Sequence, residues 1–431
     1  MIAEKPDLIR AIGRWSLVAL MVNFIIGAGI FGLPSAAAGF LGHQSPMAYL
    51  IAAAGMAVIA ACVAEVASRF HETGGPYLYA SAAFGRFIGL QTGWLLLLTR
   101  ISSAAAVANV FIDYLSGFWP QARESVYRLA ILTVLIGGLA LINIRGVKMG
   151  TRVSNFFTIA KLTPLVVLVA AGLLFIHRQG SPVPAVESHP VGVWMNAVLL
   201  LVYAFSGFES ALIPVGEVKS PGRNIPIALM LALPVVATIY FLVQVVVVHT
   251  LANSAQTPRP LWASAHVVGG DAMATIVALG ALLSTFGSMA ANMIANPRLT
   301  FAFAKQGDFP RCFAAIHRRY QTPYISIVTF AILFWALAVL GTFRWNATLS
   351  AISRLFAYII TCAALPMLRK QFPGQESFRL PGGVVFAVVG ITFAMVLASR
   401  MSIAELIALA ITAAISFLNW LVVRRNNASQ R

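Results

Sequence analysis

Apolar stretches of roughly 20 residues recur along the whole chain, and this length is what a helix needs to cross the hydrocarbon core of a membrane. Only 10% of the residues are charged, whereas a soluble domain carries about 25%. The sequence therefore predicts an all-α integral membrane protein, with about twelve transmembrane helices in a single domain over residues 1–431. We place the spans near 15–42, 45–68, 87–118, 126–144, 152–176, 192–217, 225–251, 271–303, 323–342, 346–368, 382–399 and 402–423.

The formal net charge of +17 would suit a nucleic-acid partner, but its distribution follows membrane topology instead. With an even number of spans and the N-terminus inside, most Lys and Arg residues fall in cytoplasmic segments. This positive-inside pattern predicts that both termini are cytoplasmic, and we expect no nucleic-acid partner. Short loops favour a bacterial cytoplasmic membrane. The three cysteines predict neither a disulfide framework nor a metal site, and we expect no cofactor.

Two spans are interrupted by residues that weaken helices. The first contains the sequence NFIIGAGIFGLP over residues 23–34, and the sixth contains VYAFSGFESALIP over residues 202–214. In each, a proline follows seven residues after a glycine, at Gly27 and at Gly207. Close helix packing would explain one such glycine. Because the two breaks open the two five-helix halves of the chain, discontinuous helices that line a cavity explain the pair better.

Broken helices expose backbone groups that can bind a ligand. The amides of Gly27, Ala28 and Gly29 would face an anionic group at a helix N-terminus. The carbonyls freed at the second break would face a cation. A site that offers both suits a zwitterion such as an amino acid. These carbonyls belong to Tyr203, Ala204, Phe205 and Ser206.

Four segments resemble the amino acid–polyamine–organocation superfamily, in the same order and over nearly the whole chain. They are GAGIFGLP in the first span, AEVASRFHETGGPYLYASAAFG at 64–85, GEVKSPGRNIPIA at 216–228 and NPRLTFAFAKQGDFP at 296–310. The resemblance implies the leucine-transporter fold, with inverted repeats over 15–176 and 192–368 and two further helices over 382–423. It also implies import or exchange of amino acids or related amines by alternating access.

Other functional classes fit the sequence less well. A channel would need a filter motif or rings of charged residues, and a membrane enzyme would need a reactive motif such as HExxH; we find neither and expect no catalytic residues. A transporter of polyamines or organic amines, an amino acid exchanger and a non-transporting sensor stay open. For an amino acid permease, the expected partners are the amino acid, protons and the lipid bilayer.

Ionisable residues inside membrane spans are costly and suggest function. A lysine like Lys161 in the family takes the place of a sodium ion against the first helix, which implies sodium-independent transport driven by protons or exchange. The alternative is a structural lysine bonded to helix-one carbonyls. Glu209 matches a glutamate that is associated with proton-dependent gating in related exchangers. The alternative is a carboxylate that caps the second half of helix six.

The side-chain pocket is predicted from an alignment with the arginine/agmatine exchanger of the superfamily. That alignment places Thr99, Arg100 and Ala104 on the helix-three face that lines the pocket. Because of its positive charge, Arg100 would exclude amino acids with cationic side chains. The pocket would accept neutral side chains if Glu209 pairs with Arg100, and it would favour acidic side chains if Arg100 is free. Of the two, we expect neutral amino acids to be the preferred substrates. The further pocket and gate candidates are Asn23, Tyr203, Ser206, Phe208, Phe286, Arg354 and Asn292, the last replacing a tryptophan of the exchanger's middle gate.

Overall fold

A computed structural model describes residues 13–70, 75–146, 151–179, 188–211, 218–372 and 378–428. These residues form α-helices and short connections, with no β-strand among them. Parts of two quoted motifs, at 71–74 and 216–217, lie outside the described residues, as does the proline at the end of the second interrupted segment. The helices are α1 (Arg14–Ile25), α2 (Gly29–Leu41), α3 (Ser45–Ser68), α4 (Pro76–Phe84), α5 (Arg86–Leu115), α6 (Ser125–Ile144), α7 (Thr151–Gln179), α8 (Val191–Val202), α9 (Phe208–Ala211), α10 (Pro221–Thr250), α11 (Pro260–Lys305), α12 (Tyr324–Leu340), α13 (Phe343–Gln371), α14 (Gly383–Ala398) and α15 (Ile403–Ala428).

The helix lengths confirm the all-α membrane fold. Within the described residues, eight helical stretches are long and apolar enough to cross a membrane, and four apolar helices are shorter. Two of the shorter helices, α1 and α8, are short because each is the first half of a predicted broken span. Their second halves are α2 and α9, which begin at Gly29 and Phe208.

Two elements differ from the sequence prediction. The loop after the second span contains helix α4, whose nine residues are too few to register as a span. Helix α11 begins before the predicted eighth span, but its backbone is non-helical at Gly269 and Gly270, where φ is 70° at the second glycine. This kink separates a short leading helix from the span itself, which the sequence placed from residue 271.

The eighth span tolerates a proline because a neighbouring helix satisfies the carbonyl that the proline leaves free. Pro297 has no N–H, so the Met293 carbonyl loses its helical partner. The Asn143 side chain, at the end of α6, donates to that carbonyl at 2.5 Å. Arg298 in turn donates to the Asn143 side-chain oxygen at 3.3 Å. The polar network thus ties α6 to α11 with its groups paired, as burial requires.

The two broken helices lie at the centre of the bundle. Helix α1 packs against α9 and α10, while α2 packs against α8. Side chains of the first broken helix, such as Leu17, Met21 and Phe31, are fully buried. This arrangement brings both interruptions together, where any ligand would be surrounded by several helices.

Candidate functional site

The two interruptions contact each other through their backbones. Gly207 has φ of +110°, and a Cβ atom there would lie 2.5 Å from the Phe24 carbonyl oxygen. A Cβ on Gly29 would lie 3.4 Å from the Ala204 Cα. Glycine is therefore required at Gly207 both for its conformation and for space. The glycines that mark the breaks in the sequence allow the two broken segments to approach closely.

Tyr240 of α10 joins the two breaks, and sequence analysis did not single it out. Its hydroxyl lies 2.9 Å from the Ile25 carbonyl and 3.2 Å from the Ala204 carbonyl. Its buried ring packs edge-on against Phe205 and Tyr49. The only sequence signal was a tyrosine deep in an apolar span, where the hydroxyl needs a partner.

Lys161 lies against the end of α1. Its ammonium donates to the carbonyls of Asn23 and Ile26, both at 2.6 Å, and the residue is 6% exposed. Carbonyls at a helix C-terminus lack intrahelical partners and carry the negative end of the helix dipole. A fixed cation is well placed there, and it fastens α7 to the first break. The Asn23 backbone thus has a role, whereas the prediction concerned its side chain.

Glu209 caps the second half of the sixth span and pairs with Arg354. One carboxylate oxygen accepts from the Gly207 amide at 2.9 Å and the Tyr358 hydroxyl at 3.1 Å. The other oxygen lies 2.9 Å from Arg354 Nε. The structure therefore places Arg354, rather than Arg100, in direct contact with Glu209. The Arg100 guanidinium instead donates to the Ser210 hydroxyl.

Several backbone groups expected to bind the substrate already have protein partners. The Gly27 amide donates to the Ile25 carbonyl at 2.8 Å. The Tyr203 carbonyl accepts from the Ser206 hydroxyl at 2.6 Å, and the Ala204 carbonyl accepts from Tyr240. The groups without such a contact among the described residues are the amides of Ala28 and Gly29 and the carbonyls of Phe205 and Ser206.

The predicted pocket residues differ in burial and partners. Thr99 and Ala104 are buried, while Arg100 is only half-buried in the middle of α5. Phe208 is fully buried and stacks on Tyr358, so it packs against the Glu209 cluster. The Tyr203 hydroxyl donates to the Ser103 carbonyl at 3.4 Å. The Asn292 side chain donates to the Ser288 carbonyl of its own helix, and Phe286 is half-buried.

A cavity of about 450 Å³ opens at the end of the bundle that the topology prediction assigns to the outside. We call it the outer cavity. Its wall includes Gly32 of α2 and Phe343 at the start of α13. The Phe343 ring packs edge-on against Tyr203, with ring centroids 6.3 Å apart. The Phe343 ring therefore connects the wall of the outer cavity to Tyr203 at the second break. Its charged lining residues are Asp113, Arg123, Arg128 and Arg344.

A buried ion cluster ties helices together at the opposite end. The Glu65 carboxylate, fully buried at the end of α3, accepts from Arg369 at 2.7 and 2.6 Å and from Arg69 at 3.0 Å. It also accepts from the Leu380 amide, which precedes α14, at 2.9 Å. We call this group the Glu65 cluster. It holds the ends of α3 and α13 and the start of α14 together.

A second group of contacts, around Asp308, ties elements together at the same end. Asp308, after α11, pairs with Arg86 at 2.5 Å and accepts from the Tyr77 hydroxyl of α4. Burial and the neighbouring Asp308 carboxylate raise the pKa of Tyr77 above its usual value, so the hydroxyl keeps its proton. Asn419 of α15 donates to the Asp308 carbonyl at 2.7 Å. The predicted cytoplasmic end is thus fastened at two places.

We expect Glu65→Gln to lower the stability of the purified protein by about 3–5 kcal/mol, because breaking a buried ion pair leaves uncompensated charge. The measurement is the thermal unfolding midpoint in detergent. Glu124→Gln is the matched control, since Glu124 is exposed and surface charges contribute little. Equal midpoints for Glu65→Gln and the wild type would contradict the role of the cluster.

Comparison with known proteins places the chain in a family. The family model described as amino acid permease matches residues 12–419. The chain is 27% identical to the methylthioribose transporter of Bacillus subtilis, over 88% of this chain and 86% of that protein. It is 25% identical to the branched-chain amino acid permease BcaP of the same species, over 97% and 92%. An uncharacterized transporter of Mycobacterium tuberculosis is 30% identical, over 84% and 81%. This multi-pass membrane protein therefore belongs to the amino acid permease family.

Proposed function

We propose that the protein carries amino acids across the cytoplasmic membrane by alternating access, without sodium, and driven by protons or by exchange. The observation that carries this proposal is the position of Lys161, whose ammonium is bonded to two carbonyls at the end of α1. The similarity to a branched-chain amino acid permease supports an amino acid substrate. Both termini would be cytoplasmic, in a bacterial inner membrane.

The substrate would bind at the two breaks. Its carboxylate would take the amides of Ala28 and Gly29, which open α2 and lie at the positive end of the helix dipole. Its ammonium would take the carbonyls of Phe205 and Ser206 at the second break. A zwitterion thus supplies the missing partner of each free helix end.

Alternating access would use the two ends of the bundle in turn. Phe343 lines the outer cavity and contacts Tyr203, and the Glu65 cluster and Asp308 tie helices together at the other end. In the proposal, the Phe343 ring blocks the outer path and these ion contacts keep the other end closed. Movement of the Phe343 ring would connect the outer cavity to the breaks. Release on the cytoplasmic side would require the ion contacts of that end to part.

Lys161 would replace a transported cation with a fixed one. A sodium ion at a helix break needs several oxygen ligands, and two such carbonyls are already occupied by the ammonium. The lysine supplies the same positive charge without entering or leaving. The driving force would then come from protons, with Glu209 as the coupling candidate, or from exchange.

We expect uptake by the purified protein in liposomes to be unchanged when external sodium is replaced by potassium or choline. The measurement is the initial rate of radiolabelled amino acid uptake at constant pH and membrane potential. Liposomes without protein set the background. A rate that falls several-fold without sodium would contradict the role of Lys161.

The same liposomes separate the alternative functions. Accumulation above the background distinguishes a transporter from a sensor that only binds. Amines without a carboxylate should compete poorly, because they leave the amides of Ala28 and Gly29 unpaired. Equal competition by such amines would favour the polyamine branch of the superfamily.

A further inference from the structure

The spans carry more positive than negative side chains in their middle parts. The middle parts of the spans hold three basic residues, Arg100, Lys161 and Arg354, and one acidic residue, Glu209. Lys161 is bonded to backbone carbonyls and lies apart from the other three in its contacts. Arg100, Arg354 and Glu209 form a second group with one positive charge in excess. We call it the arginine group.

Glu209 carries one negative charge, so it cannot neutralise both arginines. Its oxygens are taken by Arg354, the Gly207 amide and the Tyr358 hydroxyl. Arg354 is 3% exposed, yet its Nη1 has no hydrogen-bond partner among the described residues. Its Nε lies 2.9 Å from the carboxylate but not in the direction of a hydrogen bond. A buried guanidinium with free donors is costly.

Arg100 also has few protein partners. A guanidinium has five N–H donors, and the Ser210 hydroxyl is the acceptor for Arg100 within the described chain. Ser210 belongs to α9, which begins directly after the second break. The guanidinium therefore lies beside the place where the substrate would bind, with donors still to be satisfied.

The outer cavity carries charge of the same sign. Arg123, Arg128 and Arg344 line it together with one acid, Asp113. Asp113 is paired with Arg123 at 2.5 Å, which leaves Arg128 and Arg344 as the excess. A cavity lined by positive charge concentrates anions and repels cations. The approach to the site and the arginine group thus favour the same kind of molecule.

We infer that the substrate is an amino acid with an acidic side chain, whose side-chain carboxylate binds the free donors of Arg100 and Arg354. The inference rests on the proposed function. Guanidinium donors match the two oxygens of a carboxylate, and one added negative charge neutralises the arginine group. The expectation of neutral substrates assumed that Glu209 pairs with Arg100. The structure pairs Glu209 with Arg354, so the reason for expecting neutral amino acids before acidic ones does not hold.

The first experiment compares acids with their amides as competitors of uptake in liposomes. Aspartate and glutamate differ from asparagine and glutamine mainly in charge, so each amide is a matched control. We expect the acids to inhibit at concentrations at least tenfold lower than the amides, and arginine and lysine not to inhibit. Amides that inhibit as well as the acids, or strong inhibition by arginine or lysine, would overturn the inference.

The second experiment removes one positive charge. We expect Arg100→Gln to reduce the ratio of acid to amide affinity at least tenfold, and Arg178→Gln, at an exposed position in α7, to keep the wild-type ratio. Folding is checked by size-exclusion elution and thermal unfolding. A folded Arg100→Gln protein with the wild-type ratio would overturn the inference.

Accumulation by the wild-type protein separates this inference from the proposed function. If no amino acid accumulates, the proposed function fails. If neutral amino acids accumulate and acidic ones do not, only the inferred substrate class fails.

Discussion

Transport by the Gly27→Leu variant is expected to fall below detection, while the protein folds and inserts like the wild type. A Cβ on Gly27 meets nothing closer than the Ile25 carbonyl oxygen, at 4.0 Å. The leucine side chain therefore has room, but it fills the space at the first break that the substrate carboxylate needs. The measurement is uptake in liposomes, together with the elution volume and the unfolding midpoint of the purified variant.

Two other glycine variants serve as comparisons. Gly137→Leu places the same side chain in α6, where a Cβ meets nothing within 4 Å, and we expect normal transport. Gly29→Leu should lose both transport and stability, because its Cβ would lie 3.2 Å from Leu33 and 3.4 Å from the Ala204 backbone. A well-folded Gly27→Leu protein with normal uptake would show that the carboxylate binds elsewhere.

The sequence was sufficient to predict the spans and the two breaks, because both depend on local chemistry. Apolar runs long enough to cross a membrane predict contact with lipid. A glycine followed by a proline predicts a weakened helix. The short helix α4 was missed because its nine residues are too few to stand out as a span. The kink at Gly269 and Gly270 agrees with the predicted start of the eighth span.

The partners of the intramembrane charges could not be predicted from the sequence. Arg100 and Arg354 are both on spans that approach the second break, and either could have paired with Glu209. The choice depends on the direction in which α9 leaves the break, which Gly207 sets through its positive φ and its contact with Phe24. Tyr240 was missed for a similar reason, since its two acceptor carbonyls come from different helices.

Lys161→Ala is expected to slow transport at least a hundredfold. The change removes two hydrogen bonds from a charged donor to the Asn23 and Ile26 carbonyls. Such bonds contribute about 1.5–3 kcal/mol each, and roughly 1.4 kcal/mol corresponds to a factor of ten. The Ile26 carbonyl, which is buried, and the partly buried Asn23 carbonyl would also lose this partner at the end of α1. The measurement is the initial uptake rate in liposomes, normalised to folded protein.

Two further variants are compared with Lys161→Ala. Lys219→Ala removes an exposed lysine and should transport normally. Tyr240→Phe removes only a neutral hydrogen bond at the same break, worth about 1 kcal/mol, so it should reduce the uptake rate by roughly fivefold.

Added sodium tests whether transport needs a positive charge at these carbonyls. If it does, sodium should restore part of the Lys161→Ala rate, because the ion can occupy the vacated oxygens. A folded Lys161→Ala protein that sodium does not rescue would assign the lysine a bracing role. Wild-type uptake by that variant would contradict both roles, and the first break would then have to be held by Tyr240 and the surrounding packing alone.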